Sequence, residues 1–248
     1  MSLQGKVAVV TGAGSGMGRA IAVRFAREGA AVAIWDLNTQ GAEETAALIT
    51  EAGGKAIALT VNAANTAEIK TAADKTRETF GPILILVNNA GITGTVPFLS
   101  LDEATWDRMI EINLKGPFLC CQQILPDMLA AGWGRIVNIS SSSIQTGAPA
   151  MAHYVSAKGG VMALTKALAI EYADKGITAN SVPPGFIDTP MLRASPVNVD
   201  AYAATMPMKR PGRVEEIAAA CAYLVSEDAA YVTGQTIIVN GGRYMGSA

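Results

Sequence analysis

The chain has 248 residues, 50% of them hydrophobic and 16% charged, with a formal net charge of −2. That balance argues against disorder, gives no basic excess for nucleic acid, and lets about 70% of the unfolded surface be buried without disulfide or metal staples. A single histidine, His153, excludes multi-histidine zinc sites, and three cysteines, Cys120, Cys121 and Cys221, make no disulfide framework and fit a reducing, cytoplasmic setting.

The first apolar strand, 7–11, follows Met1 closely and leaves no room for a signal peptide. It runs into Thr11-Gly12-Ala13-Gly14-Ser15-Gly16-Met17-Gly18-Arg19, ahead of a helical pattern over 16–28. Glycine permits a tight turn and a close approach to a ligand. The following helix points its free N–H groups at the same place, a seat for a pyrophosphate. The spacing is G-x-x-x-G-x-G, which a glycine-rich turn without a ligand would also satisfy. The second strand, 31–36, ends on Asp36, eighteen residues past Gly18. A carboxylate there can accept both hydroxyls of an adenosine ribose, and turn and acid together favour a dinucleotide.

Next come a helix at 40–52, a strand at 56–61, a helix at 66–80, a strand at 83–87 and a long helix at 102–129. The run at 83–87 is the longest uninterrupted aliphatic stretch and is too short to span a bilayer, so no membrane partner is expected. The fifth strand, 135–140, leads into a serine run, 140–143. The helix at 152–173 opens with Tyr154 and Lys158, four apart and on one face. A phenol with a pKa near 10 is a poor base, but a nearby ammonium favours the phenolate and would make tyrosine a usable proton carrier. A sixth strand, 178–182, precedes the segment 183–211, which has six prolines and no long periodic pattern. Overhanging the C-terminal edge of the sheet, it is predicted to be a substrate lid with no sheet or helix of its own. A helix at 214–224 and a strand at 236–239 close the chain. Seven short, nearly continuous apolar strands alternating with helices predict one doubly wound, Rossmann-like α/β domain over 1–248, with seven parallel strands and helices on both faces.

Six motifs in order carry a resemblance that covers essentially the whole chain. They are Thr11-Gly12-x-x-x-Gly16-x-Gly18, Asn88-Asn89-Ala90-Gly91, Asn113, Ser141, Tyr154-x-x-x-Lys158 and Pro184-Gly185. The chain resembles the short-chain dehydrogenase/reductase family, in its single-domain type. The resemblance implies that Tyr154 is the catalytic acid/base and that Lys158 holds the nicotinamide ribose and lowers the Tyr154 pKa. It makes Ser141 the residue that polarises the substrate oxygen, chosen over its serine neighbours because it lies thirteen residues before Tyr154. Asn113 would bend its helix around a water that relays protons to the lysine. Gly12, Ser15, Gly16, Met17 and Gly18 would hold the pyrophosphate end, and Asp36, Leu37, Asn62 and Ala63 the adenosine. Asn89, Ala90 and Gly91 would line the cleft, Pro184 and Gly185 would bind the cofactor, and the Ile187 backbone and Thr189 hydroxyl would meet the carboxamide. Asn62 departs from the aspartate that many members have there; it can still accept from the adenine amino group, without a charge.

Asp36 argues for NAD, because a 2′-phosphate beside it meets like-charge repulsion. Where NADP-using members commonly carry Arg or Lys, this chain has Ser15 and Leu37, and Arg19 on the following helix is expected to point away. The lid residues Met191, Leu192, Pro196, Val197, Tyr202, Met206 and Met208 favour a hydrophobic alcohol or ketone, alicyclic, steroid-like or aliphatic, though packing of the lid would also explain them. Arg193 keeps a 3-oxoacyl thioester open as the alternative. His153 is expected at the pocket rim or as a satisfied structural residue. A non-catalytic dinucleotide sensor would more naturally lack Ser, Tyr or Lys. No metal is expected, and the resemblance implies a homotetramer paired through the helices at 102–129 and 152–173 and through the last helix and strand.

Overall fold

Alternate residues of each strand go to opposite sides of a parallel sheet in the computed structural model, which describes residues 3–194 and 197–245. The elements in chain order are β1 Val7–Thr11, α1 Gly16–Arg27, β2 Ala31–Asp36, α2 Thr39–Glu51, β3 Lys55–Thr60, α3 Thr66–Phe80 and β4 Ile85–Asn88. Then come α4 Glu103–Ile110, a π turn at Glu111–Lys115, α5 Gly116–Ala131, β5 Gly134–Ile139, α6 Ser143–Thr146 and α7 Ala152–Tyr172. The last are β6 Ile177–Val182, α8 Pro190–Arg193, α9 Val199–Ala204 and α10 Val214–Val225. Strand order is β3-β2-β1-β4-β5-β6, with every pairing parallel. The chain reverses its winding between β1 and β4, the crevice where open α/β sheets bind ligands.

The strand sequences are apolar throughout because both faces are covered. Ala8, Val10, Val32, Ile34, Ile85 and Val87 join one core with Ile21 and Phe25 of α1 and Ile217 and Cys221 of α10. Val7, Val9, Ala33, Trp35, Leu86 and Ile136 join a second core with Ile69 of α3 and Cys120, Ile124 and Met128 of α5. All three cysteines are buried and free. No helix among the described residues is long and apolar enough to cross a membrane.

The sheet has six strands, not the seven expected. Residues 236–239 do run parallel to β6, but only as isolated bridges, Ser181 to Thr236 and Pro184 to Val239. Ile237 donates to the Ser181 carbonyl and Gly185 to the Val239 carbonyl. Pro183, whose N–H would have to donate to the Ile237 carbonyl, has none to give, so the ladder breaks there. The lid also departs from expectation, because it carries α8 and α9. Side-chain caps start both: Thr189 accepts from Leu192 N at 3.2 Å, and Asn198 accepts from Ala201 N at 3.0 Å.

Candidate active site

The glycine turn closes the cofactor end of the crevice. Gly12 has φ +64°, and a Cβ there would lie 2.8 Å from the Ala90 Cα, so β1 and the segment after β4 come together only through glycine. A Cβ on Gly18 would strike the Gly12 carbonyl. Asn89 Nδ2 pins the turn by donating to the Thr11 and Gly12 carbonyls at 2.9 and 3.0 Å. Ser15, the N-cap of α1, makes no side-chain cap bond, so it occupies none of the helix's first N–H groups.

Asp36 ends β2 with its carboxylate turned onto this turn. It accepts from Gly14 N at 2.7 Å and Asn38 N at 2.8 Å. A Cβ on Gly14 would sit 2.9 Å from that carboxylate, so glycine is what lets the acid approach. Arg19 does not point away as expected. Its guanidinium folds back to donate to the Gly14 and Gly41 carbonyls and to Thr45, and pairs with Glu44 at 2.9 Å. Its charge is thereby spent on holding the turn to α2.

A cleft of about 320 Å³ follows from this arrangement. Gly12, Ser15, Gly16, Met17, Gly18, Asp36, Leu37, Asn62, Ala63, Asn89, Ala90, Gly91 and Thr189 line it. Met191, expected as a lid residue, joins the lining, and the sequence reading missed Val61, Ala64, Ile92, Arg108, Ile112 and Pro190 there. Arg108, on α4, and Ile112, in the π turn that continues it, are four apart, so their shared face was available from spacing. Asn62 Oδ1 accepts from Ala64 N at 3.0 Å and keeps a second lone pair for a donor. A carboxylate, unsatisfied helix amides and a backbone cradle with no room for side chains fit a dinucleotide with its ribose on Asp36 and its pyrophosphate on α1.

The reaction end is built by β5, α7 and the π turn. A Cβ on Gly91 would lie 3.4 Å from Lys158 Nζ, which joins the two ends of the crevice. Ser141 follows β5, its Oγ 2.8 Å from Ser143 Oγ, and stands beside the Tyr154 phenol. Its neighbour Ser140 is buried and engaged with Ser181 at 2.7 Å. Lys158 is buried and donates to the Ile139 carbonyl at 2.9 Å. Burial pushes its ammonium down to about 8. The expected lowering of Tyr154 by Lys158 is not what the structure shows. Burial pushes the phenol up, and Ser141 beside it offsets part of that.

Asn113 is fully buried inside the π turn. Its Nδ2 donates to the Met109 carbonyl at 3.2 Å and the Ile92 carbonyl at 3.1 Å, and its Oδ1 accepts from Ile92 N at 3.3 Å. A side chain that takes the carbonyl four residues back competes with the α-helical bond, and the helix widens there. The expected single helix over 102–129 is therefore two helices joined by this turn. Pro184, Gly185 and Ile187, at the start of the 183–211 segment, lie outside the cleft lining. Ile187 bridges Gly212 through the Phe186 carbonyl and Asp188 N–H, so its own N–H and carbonyl face the other way.

Of the lid residues, Met206 is buried and Tyr202 packs on Phe186 with ring centroids 4.5 Å apart, so both belong to packing. Met191, Val197 and Met208 are exposed, Leu192 is half-buried, and Pro196 lies outside the described residues. Arg193 holds Asp188 in a two-point ion pair, both bonds 2.7 Å. His153 is fully buried, not at a rim, and neither ring nitrogen has a partner, so it is not a satisfied structural residue either.

Residues 12–243 match the family described as "Enoyl-(Acyl carrier protein) reductase". The chain is 42% identical over 245 residues to the 3-oxoacyl-(acyl-carrier-protein) reductase FabG of Staphylococcus epidermidis, covering 97% of this chain and 99% of that one. It is 41% identical over 239 residues to the cyclohexanol dehydrogenase of an Acinetobacter species, covering 95% and 94%. The crystal structure of levodione reductase superposes with a TM-score of 0.93 at 35% identity, covering 97% of this chain and 98% of that one.

Proposed function

Because the chain belongs to the short-chain dehydrogenase/reductase family, whose members use a nicotinamide dinucleotide, we propose that it transfers a hydride between NAD(H) and a secondary alcohol or ketone. The observation that carries this reading is the placement of Ser141 beside the Tyr154 phenol at the C-terminal edge of β5, with Lys158 buried one turn along α7. NAD(H), when bound, supplies or accepts the hydride at the substrate carbon. Ser141 and Tyr154 address the substrate oxygen. Burial keeps the phenol protonated at neutral pH, which suits it to hand a proton to a ketone oxygen as negative charge develops there. Ser141 donates to the same oxygen. Asn113 fixes Ile92 on the cleft wall from both its amide atoms.

NAD is preferred over NADP because Asp36 puts a carboxylate at the ribose end and Arg19, the cation at the glycine turn, is paired with Glu44. A hydrophobic alicyclic or aliphatic substrate is favoured by exposed Met191 in the cleft lining and by the engagement of Arg193 with Asp188, which removes it as an anion receptor. A 3-oxoacyl thioester is the second reading, favoured by the 42% identity to a FabG reductase. The whole of 1–248 acts as a single catalytic domain in the cytoplasm, with 183–211 as lid, and with no membrane or nucleic-acid partner. A homotetramer is supported by apolar side chains left exposed on the helices concerned: Phe118 on α5, Ile170 on α7 and Tyr223 on α10. Sedimentation analysis tests it, a monomer at micromolar concentration being the contrary result.

The substrate test follows absorbance at the nicotinamide band with NADH and NADPH against cyclohexanone, longer alkyl ketones and an acetoacetyl thioester. Turnover of a ketone with NADH is the expected result. Faster turnover of the thioester would favour the second reading, and cofactor binding without turnover on any compound would favour a sensor.

A further inference from the structure

His153 is a buried polar group at the reaction end that the mechanism leaves unused. It stands between Ala152 and Tyr154 at the start of α7, with 0% exposure, and both Nδ1 and Nε2 lack a partner. Whichever nitrogen holds the proton, the ring offers one donor and one acceptor, and burying them unpaired is unfavourable. A phenylalanine ring would fill nearly the same space with no such penalty.

The ring lies where α7 packs against α4. A methyl built on Gly94 would sit 3.8 Å from Nε2 and 3.9 Å from the Met109 methyl, with nothing else within 4 Å. Gly94 belongs to the stretch that continues the cleft wall from Asn89, Ala90, Gly91 and Ile92. That stretch is pinned at Ile92 by Asn113 and at Val96, whose N–H donates to the Ala150 carbonyl at 2.7 Å. Between the two pins it passes the His153 ring at Gly94, close to it but without a bond.

We propose that His153 is a positioning residue for the substrate wall. When a ketone or alcohol seats against residues 92–96, the stretch settles onto the imidazole. A ring nitrogen then hydrogen-bonds a backbone group of 93–95 and fixes the wall against the substrate. The inference rests on the oxidoreductase reading above and adds a specificity role to a residue one position from the proton donor.

His153→Phe, His153→Gln and Gly94→Ala test it. Without ligand, His153→Phe melts at the same temperature as wild type or higher, because it removes unpaired polar atoms. With the best ketone of the panel its KM rises about fivefold at nearly constant kcat, the pattern of lost binding, and His153→Gln recovers most of that. Gly94→Ala, which puts a methyl between wall and ring, raises KM in the same sense and adds little to His153→Phe. Amide exchange at 93–95 in the presence of NAD and cyclohexanone is slower in wild type than in His153→Phe. A lower melting temperature with unchanged KM would make His153 a packing residue and overturn the proposal. Equal exchange at 93–95 in both proteins would overturn it whatever the turnover, whereas absence of wild-type turnover on the whole panel sinks only the oxidoreductase reading.

Discussion

Replacing Asp36 separates the two tasks its carboxylate performs. It receives the Gly14 and Asn38 N–H groups at 2.7 and 2.8 Å, and it faces the ribose end of the cleft. A hydrogen bond to a charged acceptor contributes about 1.5–3 kcal/mol, so loss of one ribose contact should lower kcat/KM for NAD by about 10- to 100-fold. A 2′-phosphate about 4 Å from the carboxylate meets about 4 kcal/mol of repulsion at an effective dielectric of 20, and salt and exposure reduce this. Relief of that repulsion should raise kcat/KM for NADP about tenfold, so the NAD:NADP ratio should fall by about 10²–10³ in Asp36→Ala. Loss of the two N–H bonds also loosens the turn, and Asp36→Asn serves as the second variant, because it keeps one acceptor while removing the charge. The assay is initial rate against each cofactor at fixed ketone. A wild type that already prefers NADP, or a ratio within threefold of wild type in both variants, would refute the assignment of Asp36 as the cofactor discriminator.

Gly14→Ala should weaken NAD in a direct titration while leaving Ser141, Tyr154 and Lys158 untouched, because its methyl meets the Asp36 carboxylate at 2.9 Å. Lys158 is held at about 8, below its unfolded value near 10.4, so between those pH values the unfolded chain binds more protons and stability rises with pH. Lys158→Met should remove that rise, worth about 3 kcal/mol across the window. Comparing the melting of the two proteins cancels the buried thiols of Cys121 and Cys221, which burial pushes up to about 12 and which act in the opposite sense. Amide exchange over 183–211 should slow when NAD and a ketone bind together; equally strong protection with and without them would make the segment a fixed wall and remove the main support for a hydrophobic substrate.

The strands and the glycine turn were legible because their signals are local. Apolar runs such as 7–11 and 31–36 have one reading when both faces are buried, and the turn needs glycine wherever backbones touch. The missing seventh strand also had a local cause in Pro183, but its effect appears only once 236–239 is placed beside β6. Both lid helices begin with ordinary cap residues, Thr189 before Pro190 and Asn198, yet four and six residues are too few for a periodic pattern. The spacing of Tyr154 and Lys158 gave their shared face but not the direction of the ammonium, which depends on Ile139 across the helix–sheet interface. Arg19 and His153 failed for the same reason: their partners, or the absence of any, are set by α2, α4 and the 89–97 stretch.

Tyr154→Phe tests the central claim most directly, since it keeps the ring and removes only the transferable proton. NAD affinity, by titration, should stay within about threefold of wild type, because the phenylalanine ring keeps the site's shape. The kcat for ketone reduction should fall by about 10²–10⁴-fold, the usual contribution of a general acid. A Phe variant with wild-type NAD affinity and a kcat within threefold of wild type would contradict Tyr154 as the proton donor.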